Sequence, residues 1–114
     1  MYIKKENLNV VTEENENGIS TLFINDLADF ESRNPKLRTF ALAKLIPGEE
    51  VAFHIHEGES ESYYIISGSA LYNDNGTEVK LGAGDATFTP SGTGHGIKNI
   101  GMETLEFIAL IILD

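Results

Sequence analysis

The chain contains no cysteine. Disulfides, thiolate metal sites and cysteine nucleophiles are therefore excluded, and the composition suits a reducing compartment. Basic residues are also few: 8 Lys and Arg stand against 18 Asp and Glu, for a formal net charge of −10. A polyanion partner needs cations gathered on one face. Here they are scattered, so neither a nucleic-acid nor a membrane partner is expected, and the acidity reads as a solvated surface. No apolar run approaches the roughly 18 residues of a membrane span. The longest, FIALIIL at 107–113, has strand length. The first ten residues, MYIKKENLNV, carry charges where a signal peptide needs an apolar stretch. Together these features predict a cytoplasmic protein. A length of 114 residues with 41% hydrophobic content fits one domain, 1–114, with one core.

What the chain does have is short β-branched and aromatic runs punctuated by Gly and Pro. LRTFALAKLI (37–46) leads into the turn PGEE. VAFHIH (51–56) is followed by the turn EGES and then ESYYIISG (61–68). SALYNDNGTEVKL (69–81) is a hairpin about Asn75-Gly76. GDATFTP (84–90), HGIKNI (95–100) and TLEFIALIIL (104–113) complete the series. Short strands at regular spacing argue for an antiparallel barrel or sandwich over about 37–113. In residues 1–36, ISTLFI (19–24) reads as a strand and TEENENG (12–18) as an acidic loop. NDLADFESRN (25–34) reads as one helical turn capped by Asn25 or Asp26.

Residues i and i+2 of a strand share a face. Ala52, His54 and His56 therefore point one way, and Val51, Phe53 and Ile55 the other. The last strand is apolar on both faces: Leu105, Phe107, Ala109 and Ile111 on one, Ile108, Leu110 and Ile112 on the other. A face of that kind is covered. A small barrel has only one interior, so the second face needs another sheet, the segment 1–36, or a second subunit. The expectation is a homodimer with strands packed across the interface.

The chain has three histidines, His54, His56 and His95. Two on one strand face aim two imidazole nitrogens at one point. Glu61 opens the next strand, so pairing of the two strands sets its carboxylate beside them. His95 follows the turn TPSGTG at the end of another strand, and barrel closure can bring it to the same spot. Three imidazoles and a carboxylate suit one divalent transition-metal ion: Fe, Mn, Co, Ni, Cu or Zn. On an octahedral ion, two positions stay open. A lone histidine is more often a surface or hydrogen-bonded residue than a ligand; what weighs against that here is that all three fall into one pattern with glycines and a proline.

That pattern resembles the two motifs of the cupin superfamily. GEEVAFHIHEGESESYYIISG (48–68) runs Gly48, five residues, His54, one, His56, four, Glu61, six, Gly68. GDATFTPSGTGHGIKN (84–99) runs Gly84, five, Pro90, one, Gly92, two, His95, three, Asn99. The 15 residues between them, 69–83, match the short spacing of small single-domain cupins. The resemblance implies an all-β antiparallel double-stranded β-helix, or jelly-roll barrel, usually dimeric. It also implies a metal on His54, His56, Glu61 and His95. Gly48 and Gly68 suit tight turns, Pro90 stops a strand, and Gly92, Gly94 and Gly96 let the chain turn about His95. Asn99 is expected to support that loop by hydrogen bonding.

Cupins include dioxygenases, decarboxylases, isomerases, epimerases, sugar-binding regulators and storage proteins, so the fold alone does not name a reaction. Storage and epimerase-type members often lack ligands, whereas this chain keeps all four. One expectation is a metal-dependent enzyme, dioxygenase- or isomerase-like, acting on a small organic substrate in the barrel. Tyr63, on the Glu61 face, would be its proton donor or a shelf for the substrate. The alternative is a cupin that binds or senses a small sugar or organic acid without turnover, its metal structural. Glu57 and Glu59 are expected to face solvent. Arg38 and Lys44 share a face with Phe40 and Leu42, and they hold an anionic substrate only if that face is inward.

Overall fold

Alternation decides the architecture. In the computed structural model, which describes residues 2–14, 21–27 and 33–114, the strands run in chain order. They are β1 (Asn9–Glu14), β2 (Thr21–Asp26), β3 (Leu37–Leu45), β4 (Glu50–Ile55), β5 (Glu59–Ser67), β6 (Ser69–Asp74), β7 (Thr77–Gly82), β8 (Ala86–Thr89), β9 (Gly94–Asn99) and β10 (Leu105–Leu113). A 3-10 turn, Lys5–Asn7, precedes them. One sheet has the order β1-β2-β3-β10-β5-β8 and the other β4-β9-β6-β7. Neighbouring strands are antiparallel throughout. The two sheets face each other across a shared core, the jelly-roll barrel that the sequence led one to expect. No described helix is long and apolar enough to cross a membrane.

The interior is built in cross-strand rows. Leu45 lies opposite Leu105; Ala43, Phe107 and Ile65 form the next row; Ala41, Ala109 and Tyr63 the next; Thr39, Ile111 and Glu61 the last. At the closed end Leu45, Ile65 and Leu105 are wholly buried, each worth about 1.5–3 kcal/mol of burial. From the other sheet Ala70, Tyr72 and Ile97 pack against them. Toward the open end the side chains become smaller and then polar.

The turn residues do what their backbone angles demand. Asn75 and Gly76 both adopt positive φ, 49° and 104°, which is what a two-residue hairpin loop between β6 and β7 needs. Other expectations require correction. Strand β5 begins at Glu59, so the turn EGES is shorter than its spelling suggests. Residues 12–14 belong to β1 rather than to a loop. Asn25 and Asp26 close strand β2 instead of capping a helix; residues 15–20 and 28–32, where the rest of those two readings falls, lie outside the described residues.

The face assignment along β4 also changes. Its pairing with β9 slips between Val51 and His54, and a bulge of this kind re-aims side chains. Val51 therefore lines the same cavity as His54 and His56, while Ala52 is exposed. Phe53 and Ile55 lie outside, 48% and 59% exposed. Phe53 lies across β9: a Cβ on Gly94 would come within 2.4 Å of its ring, and one on Gly96 within 3.0 Å of its backbone nitrogen. Gly94 and Gly96 thus permit close strand packing rather than a turn. The turn itself is made at Gly92, with φ of +87°.

Segment 1–36 does not lie over the barrel's outer face where it is described. Strand β2 pairs edge-on with β3, and β1 with β2, so they widen the sheet. The outer face of β3, β10, β5 and β8 carries the row Leu42, Ile108, Tyr64 and, beside it, Phe40, Leu110, Ser62 and Phe88. Phe40, Tyr64, Ile66 and Phe88 are exposed in the single chain.

Candidate metal centre

His54 and His95 are cross-strand partners on β4 and β9. Glu61 comes from the facing sheet, where β5 pairs it with Ile111 on one side and Thr89 on the other. His56 follows β4 and is held by its backbone N–H on the Thr93 carbonyl, 3.1 Å. One ligand atom from each of these four residues lies within 4.8 Å of the others. Three are buried; His54 is the partly open member.

The outer nitrogens of His54 and His56 face acceptors, which sets the tautomer of each neutral ring. His54 Nδ1 sits 2.8 Å from the Ala52 carbonyl, which can only accept, so Nδ1 carries the proton and Nε2 a lone pair. His56 Nδ1 sits 2.8 Å from the Glu59 carboxylate, with the same result. His95 Nδ1 meets the Tyr72 hydroxyl at 2.9 Å and the Thr89 hydroxyl at 3.0 Å. The inner nitrogens then face one another. His56 Nε2 lies 3.0 Å from His54 Nε2 and 3.1 Å from His95 Nε2. Glu61 Oε1 lies 3.0 Å from His56 Nε2 and 2.8 Å from His95 Nε2. If all these inner nitrogens were unprotonated they and the carboxylate would repel at such distances, so the cluster is held together by a proton or a metal cation among them. A divalent ion meets that need with each histidine's second nitrogen already anchored, the usual support of a metal-bound imidazole. The donor set fits one such ion.

Without an ion the cluster leans on protons. Burial alone would raise the Glu61 carboxyl. Hydrogen bonds from His54 and His95, with nearby imidazole charge, outweigh that and hold it at about 2. The Glu61 hydrogen bond raises the His54 imidazole above its ordinary value, against the opposing effect of burial. Burial likewise pushes Glu59 up, but His56 and Arg38 bring its carboxyl down overall.

Several residues around the site went unnoticed in the sequence. Glu59 was expected in solvent. It is instead buried, bridging His56 Nδ1 and the Arg38 guanidinium. Alternation held the signal, since Glu59 and Glu61 are two apart on one strand. Tyr72 and Thr89, which hold His95, are set by strand register and left no local mark. Glu57 is exposed, as expected. Asn99 is buried and bonds the Leu45 and Glu103 carbonyls and the Gly101 N–H, so it braces the turn after β9 rather than the His95 loop.

A cavity of about 290 Å³ opens on the cluster, walled by Ala41, Ala43, Val51, Phe107, Ala109 and Ile111. Tyr63 also lines it. Its ring stacks on His95, centroids 4.8 Å apart and planes 20° off parallel. Burial first, then the Glu61 charge, push its hydroxyl well above the ordinary value, so Tyr63 is a neutral phenol. Lys44 points away from the cavity and pairs with Glu106 at 3.2 Å.

The family model for the Cupin domain matches residues 41–111, which carry all four clustered residues. The chain belongs to the cupin family. It is 51% identical over 83 residues to an oxalate-binding protein of Thermotoga maritima, covering 73% of this cupin and 69% of that protein. A crystal structure of a predicted oxalate decarboxylase, also from T. maritima, superposes with a TM-score of 0.90 at 40% identity over the full length of both chains. An RmlC-like cupin from Shewanella frigidimarina shares the fold, with a TM-score of 0.72 at 20% identity over 99% of this chain and 90% of its own.

Proposed function

We propose that this cupin holds one divalent transition-metal ion on His54, His56, Glu61 and His95 and uses it to bind a small organic acid in the barrel cavity. The observation that carries the reading is the convergence of three histidine Nε2 atoms and Glu61 Oε1 within 4.8 Å of one another. The ion, when bound, supplies Lewis acidity and open coordination positions. The chain's residues supply the rest. Glu59, Ala52, Tyr72 and Thr89 hold the imidazoles, Tyr63 stacks on His95, and apolar side chains wall the cavity. The relatives described as binding or decarboxylating oxalate favour a short carboxylate as ligand.

Whether the bound acid is turned over depends on the groups facing it. Apart from the clustered residues, the described cavity lining offers Tyr63 as its one proton-carrying acid, and a phenol with a raised pKa cannot serve as a base near neutrality. That favours binding over isomerase chemistry. The same site would also serve an oxygenase or decarboxylase, whose chemistry a bound ion would supply.

Elemental analysis of the purified protein tests the centre, with one equivalent of metal per chain as the expected result. The double variant His54→Ala/His56→Ala should lose that metal yet keep its β-sheet circular dichroism. Stoichiometric metal in the double variant would rule out these ligands. We further propose that the apolar outer face of β3, β10, β5 and β8 is covered by a second copy. Sedimentation should then give a dimer at micromolar concentration, and Phe88→Asp should shift it toward monomer; a wild-type monomer would sink this assignment.

A further inference from the structure

Among the described residues, Arg38 is the one Lys or Arg in the cavity lining. Its position is set by an irregularity in the sheet. Strand β10 pairs Ile111 with Thr39 and the next residue, Ile112, with Leu37, so the register skips Arg38. Released from the ladder, the side chain comes round to the cavity mouth, although strict alternation would place it opposite Thr39, which lines the same wall. One guanidinium nitrogen, Nη1, donates to Glu59. The side chain is still 55% exposed, and a guanidinium has five N–H donors in a planar fork. Among the described residues Glu59 is its only recorded hydrogen-bond acceptor. Arg38 lines the cavity on which His54, His56 and Glu61 also open, in a chain whose formal charge is −10.

We propose that Arg38 is the specificity residue for the far end of the ligand. It receives the second carboxylate of a short dicarboxylate whose first carboxylate binds at the metal centre. The inference rests on the organic-acid reading above. The arrangement supports it in two ways. A planar fork pairs with a carboxylate bidentately. And Glu59, which both fixes His56 and holds Arg38, keeps the cation at a set position relative to the ion's ligands without spending its other donors.

Arg38 could instead act only through Glu59, steadying His56. The experiment must separate these roles. Manganese-loaded wild-type protein is titrated calorimetrically with oxalate and malonate, and with acetate as the one-carboxylate control. Arg38→Gln should weaken both dicarboxylates by about tenfold to a hundredfold, the scale of a charge-assisted hydrogen bond. It should leave acetate and manganese affinities within about threefold, and Arg38→Lys should restore part of the loss. If Arg38→Gln weakens acetate, dicarboxylates and manganese alike, as Glu59→Gln would through His56, Arg38 is only a positioning residue and the inference is wrong. Unchanged dicarboxylate binding in Arg38→Gln also overturns it. If wild-type protein binds manganese but none of the three acids, the organic-acid reading fails and takes the inference with it, an outcome distinct from either of the others.

Discussion

The two ends of the barrel are made by the same strands and the same rows, yet they behave as different materials. At the closed end Leu45, Ile65, Leu105 and Ala70 are all wholly buried in one cluster. One or two rows further on, the directly paired residues are Ala41 and Ala109, and beyond them stand Glu61 and the histidines. Two alanines facing each other cannot fill the interval between sheets that Leu or Phe fills elsewhere. The cavity is what their missing volume leaves. One end stores stability through burial; the other gives some of it up to hold a cluster of polar groups that could bind a metal ion. The difference lies in side-chain volume and polarity at corresponding inward positions, together with the pairing slips that bring Val51 and Arg38 to the cavity.

The largest expected effect lies at the closed end. Leu105→Ala removes a wholly buried side chain and should cost about 2–5 kcal/mol in urea unfolding, while a folded sample keeps its full metal content. A loss of metal as large as that of His54→Ala/His56→Ala, measured below the unfolding transition, would show that the ends are not separable.

A second test uses pH on protein stripped of metal. Glu61 is held at about 2, below its ordinary 4.5, so its contribution is complete above about pH 4.5 and is lost as pH falls toward 2. His54 is shifted the other way: its contribution is complete below 6.5 and is lost as pH rises through its raised value. Thermal unfolding of the apoprotein should therefore show the greatest contribution from this cluster between those limits. Glu61→Gln should flatten the acid flank, and added metal should remove the alkaline decline by replacing the proton. A wild-type acid flank identical to that of Glu61→Gln would show that other groups govern it.

How much of this was legible in the sequence follows from how local each signal is. His54, His56 and Glu61 lie within eight residues, and His95 sits in its own motif, so the candidate centre could be read directly. Glu59 was legible in principle, because a strand that turns Glu61 inward turns Glu59 inward too. Tyr72 and Thr89 were not, since only the register of β6 and β8 against their neighbours brings their hydroxyls to His95. Arg38 and Val51 were misplaced or left open for another reason: each sits at a slip in pairing, and a slip reverses the face that alternation assigns. The N-terminal strand β1 was missed because residues 9–14, NVVTEE, lack a sustained apolar alternation.

The smallest expected effect gives the sharpest comparison, because the same chemical change is made at both ends. Ala70→Leu inserts a larger side chain where the core is full, and should destabilise by about 1–3 kcal/mol. Ala41→Leu inserts the same atoms beside about 290 Å³ of open cavity, where they can spread over Ala109 and Phe107 in low-energy rotamers. Its stability should change by less than about 1 kcal/mol in either direction, since added apolar contact offsets the modest crowding. The metal should stay bound, because the strand partners of Ala41, Ala109 and Asp26, are not among the four ligand residues. Binding of malonate to the manganese-loaded protein should fall steeply, since the space it needs is occupied. Equal destabilisation by the two substitutions would mean that the cavity wall is as rigidly packed as the core. Unimpaired malonate binding in Ala41→Leu would mean that the acid lies outside the cavity.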